Sequence, residues 1–98
     1  RAARAGRDAA REGLREGVIA AWSELETARL MLSASRDRAT AAASALDSVR
    51  NEVRVGQKPT LDLLNAERDR LAADAAVILE EGRVVAAASR LNGLIRGA

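Results

Sequence analysis

An all-α fold, a long antiparallel coiled-coil helical hairpin, is what this sequence predicts, and three observations predict it. Apolar and small residues recur at alternating spacings of four and three through the first half of the chain. Gly56 and Pro59, the latter the sole proline, stand three residues apart just past the middle. A second amphipathic stretch with a wide apolar face follows them. The expected organisation is a single hairpin over residues 1–98, with a helix over about 2–55, a turn at 56–60 and a helix over about 61–96.

The first helix rests on Leu14, Val18, Ala21, Leu25, Ala28, Leu32, Ser35, Ala39, Ala42, Leu46, Val49 and Val53, which form an unbroken heptad seam. A period of 3.5 residues keeps one face towards a neighbour only if the helices supercoil left-handedly. A helix of about 50 residues would reach roughly 75 Å. Ala28, Ser35, Ala39 and Ala42 thin the middle of the seam, so backbones can approach closely there. Beside it runs a second heptad-spaced line, Trp22, Arg29, Arg36, Ala43 and Arg50. That line is open to two readings: a solvated flank with Trp22 partly in the core, or a second packing face if each helix touches two neighbours.

The turn follows from Val55-Gly56, because Gly tolerates the left-handed conformation that commonly ends helices. Pro59 suits the first turn of the next helix, where its missing N–H is not needed. Either Lys58 caps that helix ahead of Pro59 or Thr60 caps it with its hydroxyl. Asp62 falls in the first turn in both cases, well placed against the helix dipole.

The second helix carries Leu64, Leu71, Ile78 and Val85 at strict sevens, with Val77, Val84 and Leu91 one position behind and Leu63, Leu94 and Ile95 at its ends. Glu67, Arg68, Asp69, Arg70 and Asp74 read as a solvated charge cluster with local ion pairs, and Glu80, Glu81 and Arg83 as a smaller one. Gly97 is the expected stop. Two amphipathic segments on a short turn fold back antiparallel, yet neither buries all its apolar lines that way. The leftover face asks for further helices. Interior glycines cost about 1 kcal/mol each against Ala, which leaves the isolated chain marginally stable.

Composition narrows function by exclusion. The chain has 98 residues with no Cys and no His, so disulfide frameworks, thiolate or imidazole metal sites and nucleophile–His catalysis are absent. No catalytic residues, cofactor or metal are expected. Asp and Glu pairs lie on helix surfaces without a cavity that would tune them for acid–base work, so an enzyme is not expected. One Trp with no Phe or Tyr is too little aromatic area for an ordinary globular interior and suits closely packed helices. The 16 basic and 14 acidic residues nearly cancel and are scattered without interleaved aromatics, which argues against nucleic-acid binding. No apolar run approaches the roughly 20 residues needed to span a bilayer, and no signal-peptide pattern opens the chain.

Val55-Gly56-Gln57-Lys58-Pro59-Thr60-Leu61-Asp62-Leu63-Leu64-Asn65-Ala66-Glu67-Arg68 resembles the tip of the second hairpin in TolC-type outer-membrane efflux and secretion proteins. The family pattern there is valine-glycine, a short polar turn, leucine-aspartate, a hydrophobic pair, an acidic or amide residue and alanine. The flanks agree, with a long Ala-rich heptad helix before the turn and a leucine-rich end at Leu91 to Gly97. The resemblance covers essentially the whole chain, and its informative motif is the tip.

What the resemblance implies is a homotrimeric duct whose protomers each give two hairpins to a periplasmic α-barrel, continuous with a β-barrel in the outer membrane. The chain lacks those strands, so it is expected to be a fragment that meets the membrane only through the missing barrel. The hairpin tip, here Val55, Gly56, Gln57 and Lys58, would meet a periplasmic membrane-fusion adaptor, which joins it indirectly to an inner-membrane transporter. Asp62 falls on an acidic residue that makes a ring at the pore constriction, and three facing carboxylates would favour cations. Its other reading is an ordinary helix N-terminal acid.

This sequence departs from the family at two places. The second acidic ring position holds Asn65, which halves the charge of any filter. The closed-state latch, commonly Tyr and Arg, falls on Val53 and Lys58, which gives a weaker or differently wired gate because Val cannot hydrogen-bond and Lys lacks the planar fork. The passenger is expected to be a secreted protein or drugs, with the Gln57-Lys58-Pro59-Thr60 form of the turn leaning towards type I protein secretion. The alternatives are an adaptor-type hairpin, whose arginine-leucine-serine signature the tip lacks, and a generic self-associating or designed coiled coil. Interior glycines and few Glu–Lys pairs speak against design.

Overall fold

The computed structural model describes residues 2–97, and among them there are two helices, one turn and no strand. Arg1 and Ala98, the ends of the expected span, lie outside the described residues. α1 is Ala2–Arg54, 53 residues, and α2 is Thr60–Arg96, 37 residues. They fold back antiparallel into a rod of 82 × 15 × 14 Å. That length is what a helix of α1's size spans at about 1.5 Å per residue.

The turn is closed by backbone geometry. Gly56 has φ 80°, the left-handed region, and is the sole described residue to adopt it. Its N–H donates to Val53 O at 3.1 Å while Gln57 N–H donates to Glu52 O at 2.8 Å. This pair of bonds is a Schellman motif and satisfies carbonyls that the end of α1 would otherwise leave open. Lys58 N–H reaches the same Glu52 carbonyl at 3.3 Å. α1 therefore ends at Arg54, with Val55 already in the turn.

At the start of α2 the expectation of a Lys58 or Thr60 cap is corrected. Pro59 occupies the cap position, with φ −74° and ψ 156° and no side-chain cap bond, and its carbonyl accepts from Asp62 N–H at 3.0 Å. Thr60 is already helical, so its hydroxyl lies inside the first turn instead of ahead of it. Asp62 remains the first-turn acid.

α1's seam faces α2 from Val18 onwards: Ala21, Leu25, Leu32 and Leu46 are buried, and the other members as far as Val53 are half-buried. Leu14 is an exception at 38 % exposed, because α2 runs out before reaching it and residues 3–16 are exposed on every side. The tightest packing is away from the turn, where Ala21, Leu25, Ala87 and Leu91 form a cluster flanked by Val18, Ala28, Val84, Ala88 and Leu94. Arg90 Nη1 donates to both carboxylate oxygens of Glu24, at 3.2 and 3.0 Å, and ties the two helices together beside that cluster.

Of the two apolar lines of α2, the structure turns the Val77, Val84 and Leu91 line inward. The other line faces away from α1, with Leu64 53 %, Leu71 70 %, Ile78 71 % and Val85 66 % exposed. Facing inward instead are Leu63, Ala66, Ala73, Val77, Glu80, Val84, Ala87, Leu91 and Leu94, spaced by threes, fours and one seven. α1's Ala- and Ser-rich centre leaves little depth, so α2 turns the small Ala73 inward along its middle, while its inward leucines, Leu63, Leu91 and Leu94, lie towards its two ends. The leftover apolar face that the sequence anticipated is thus present, and it carries Leu64, Leu71, Ile78 and Val85.

Glu80 requires a second correction. It reads as part of a solvated cluster, but it occupies the seam and is 7 % exposed. Arg83, one turn on, reaches Oε1 at 3.4 Å as a local ion pair, while Oε2 is buried without a hydrogen-bond partner. The heptad register places it level with Leu32, where an apolar residue would ordinarily sit.

Candidate functional site

The tip displays Val55, Gly56, Gln57 and Lys58 to solvent, Val55 being 64 % exposed. A Schellman closure turns Val55 outward, since the chain reverses at Gly56 before that side chain can reach α2. Lys58 is held from two directions. Its N–H bonds to Glu52 O, and its Nζ lies 3.0 Å from Glu52 Oε2, an ion pair with both side chains partly exposed. Such a pair is worth a few tenths of a kcal/mol to about 1 kcal/mol and contributes mainly direction to the lysine.

Beyond the turn, one face of the hairpin forms a shallow groove between the helices. Near the tip it is lined by Lys58, Asp62, Asn65 and Asp69 on the turn and α2 and by Arg38 on α1, over a floor of Ala41, Ala42, Ala45, Ala66 and Val49. The groove continues past Arg38, Ala42 and Asp69 to Ala72, Ala73 and Ala76. A third section, farther from the tip, lies between Glu24, Thr27 and Met31 on α1 and Glu80, Arg83 and Arg90 on α2. Small floor residues follow from the close helix spacing, and the rims carry the charge because they flank the seam.

Three of the four residues expected at a constriction, Lys58, Asp62 and Asn65, thus share one groove. Val53 is not with them: it is half-buried in the seam. Asp62 is both a first-turn acid and a groove-lining residue. Sequence reasoning missed Arg38 and Asp69. Asp69 lies one heptad beyond Asp62, and that spacing is the sequence signal that places it on the same face.

No protein-family model matches the chain, and no solved structure matches it. A curated relative does: the chain is 43 % identical over 84 residues to the outer membrane efflux protein BepC of Brucella suis biovar 1 (strain 1330). The alignment takes in 86 % of this chain, so it includes the turn and most of both helices. Identity at that level over most of the chain shows the family. The chain is a TolC-type outer-membrane efflux homologue. It spans only 18 % of the relative's length. Among the described residues of this TolC-type segment, no helix is long and apolar enough to cross a membrane.

Proposed function

We propose that the chain is a periplasmic tunnel segment, the second hairpin of a homotrimeric outer-membrane channel, and that it conducts efflux passengers past its groove face. The observation that carries this reading is the outward stripe of Leu64, Leu71, Ile78 and Val85. A hairpin that worked alone would bury its largest apolar residues, and one that stands in a wall of helices keeps them for the next helix. In this reading the tip residues Val55, Gly56, Gln57 and Lys58 dock onto a membrane-fusion adaptor, through which an inner-membrane transporter is engaged. Asp62, Asn65, Lys58 and Val53 belong to the constriction, with Val53 acting from within the seam as support and not as a lumen-facing group.

Efflux is adopted as the passenger class because the curated relative is named an efflux protein. The turn's lean towards protein secretion rests on resemblance alone. The role is transport and involves no chemistry.

The test uses the full-length parent in a strain deprived of its own duct. Gln57→Cys in the parent, paired with a cysteine in the adaptor's hairpin tip, should give a disulfide-linked product in the membrane fraction, and the parent should restore tolerance to an effluxed dye. Retained tolerance without any Gln57 cross-link would remove the tip from docking. A parent that fractionates away from the outer membrane would remove the whole reading.

A further inference from the structure

Two residues on the groove face have no place yet in the constriction described above, and the following rests on the reading that this groove faces the lumen. We infer that Asp69 and Arg38 form a second charged station behind Asp62 and together tune the duct's preference between cations and anions.

The placement comes from the groove itself. Arg38, Ala42 and Asp69 are common to the section nearest the tip and to the section beyond it, so this pair stands where the two meet. Asp69 is one heptad past Asp62, about 10 Å deeper along α2. It lies on the same rim, and Arg38 stands on the opposite rim.

Two neighbouring cations are engaged elsewhere. Lys58 is paired with Glu52 at 3.0 Å, and Arg70 with Asp74 at 3.7 Å. Among the described residues, Asp62, Asp69 and Arg38 have no ion-pair partner within 4.0 Å. The floor between the rims is alanine with Val49, whose side chains offer no donor to neutralise a carboxylate. Asn65, the residue that dilutes the first station, lies between the two acids on the same groove. A charge that is unpaired, uncovered and repeated by the symmetry of an oligomer is what sets ion preference in a pore.

The two signs give opposed expectations. With Lys58 offset by its Glu52 partner at 3.0 Å, each protomer offers the lumen two carboxylates and one guanidinium along this groove, a small negative excess and hence a modest cation preference. Removing Asp69 cancels the excess, removing Arg38 doubles it, and removing both restores it.

The experiment is single-channel recording of the full-length parent in planar bilayers under a KCl gradient, with the reversal potential as readout. Asp69→Asn should move the reversal potential most of the way to zero, Arg38→Gln should move it further in the cation-selective direction, and the double variant should return near the parent. These differences should be large near 0.1 M salt and small near 1 M, where charges are screened within about 3 Å. Asp69→Glu, which keeps the charge, should behave as the parent and separates lost charge from a damaged fold. If Asp62→Asn shifts the reversal potential while Asp69→Asn and Arg38→Gln do not, the second station is refuted and the constriction reading stands. If Asp62→Asn is also silent in a conducting channel, the groove does not face the lumen and both fail.

Discussion

Replacing Glu80 with Leu tests whether a carboxylate in the seam costs the hairpin stability. Glu80 is 7 % exposed, and its Oε2 has no hydrogen-bond partner. Leaving a buried polar group unsatisfied costs about 1–3 kcal/mol. The compensation is small: Arg83 reaches the other oxygen at 3.4 Å, and its own side chain is 59 % exposed, so solvent screens the pair. After that discount the ion pair returns only a few tenths of a kcal/mol. Leu has nearly the same bulk and faces the Leu32 level of the seam, so it removes the cost and adds apolar burial. Buried charges exchanged for apolar residues of similar volume are often neutral or stabilising for this reason. A net gain of about 1–2 kcal/mol corresponds to a rise in Tm of roughly 4–16 °C for a chain of this size. The assay is thermal circular dichroism at matched protein concentration, because association also moves the midpoint. Arg83→Ala, measured alongside, should shift Tm by little. A Glu80→Leu variant that melts at or below the parent would refute the argument and would mean that the carboxylate finds a donor in solution.

Three further outcomes follow from the same geometry. Gly56→Ala places a Cβ at φ 80° and should lower stability by about 1–2 kcal/mol, read as an earlier midpoint in urea with unchanged helical content at low denaturant. Gly82→Ala meets nothing within 4 Å of the added Cβ and should raise stability by about 0.5–1 kcal/mol in the isolated chain, checked by the same titration. Leu71→Glu combined with Ile78→Glu, at positions 70 % and 71 % exposed, should abolish concentration-dependent association in sedimentation while leaving the hairpin helical; association that persists would show that another face drives it.

The heptad seam of α1 was readable because alternation by fours and threes has one geometric meaning, and burial from Val18 to Val53 follows it. The turn was readable for a similar reason: Gly56 and Pro59 restrict the backbone locally, without help from distant residues. α2 was harder. It carries two apolar lines side by side, and which of them turns inward is set by fit to the partner surface. Glu80 was misplaced by the same logic, since a charged residue reads as solvated until the register shows which face it shares.

The sequence by itself determined that this chain is a two-helix hairpin with a TolC-type tip, because periodicity, one glycine, one proline and a short motif are local properties. Only the tertiary structure decided which face of α2 looks inward, and with it that Asp69 and Arg38 join Asp62 on one groove and that Leu64, Leu71, Ile78 and Val85 remain uncovered. Helix rotation is fixed by the match of two surfaces, and neither surface carries that information alone.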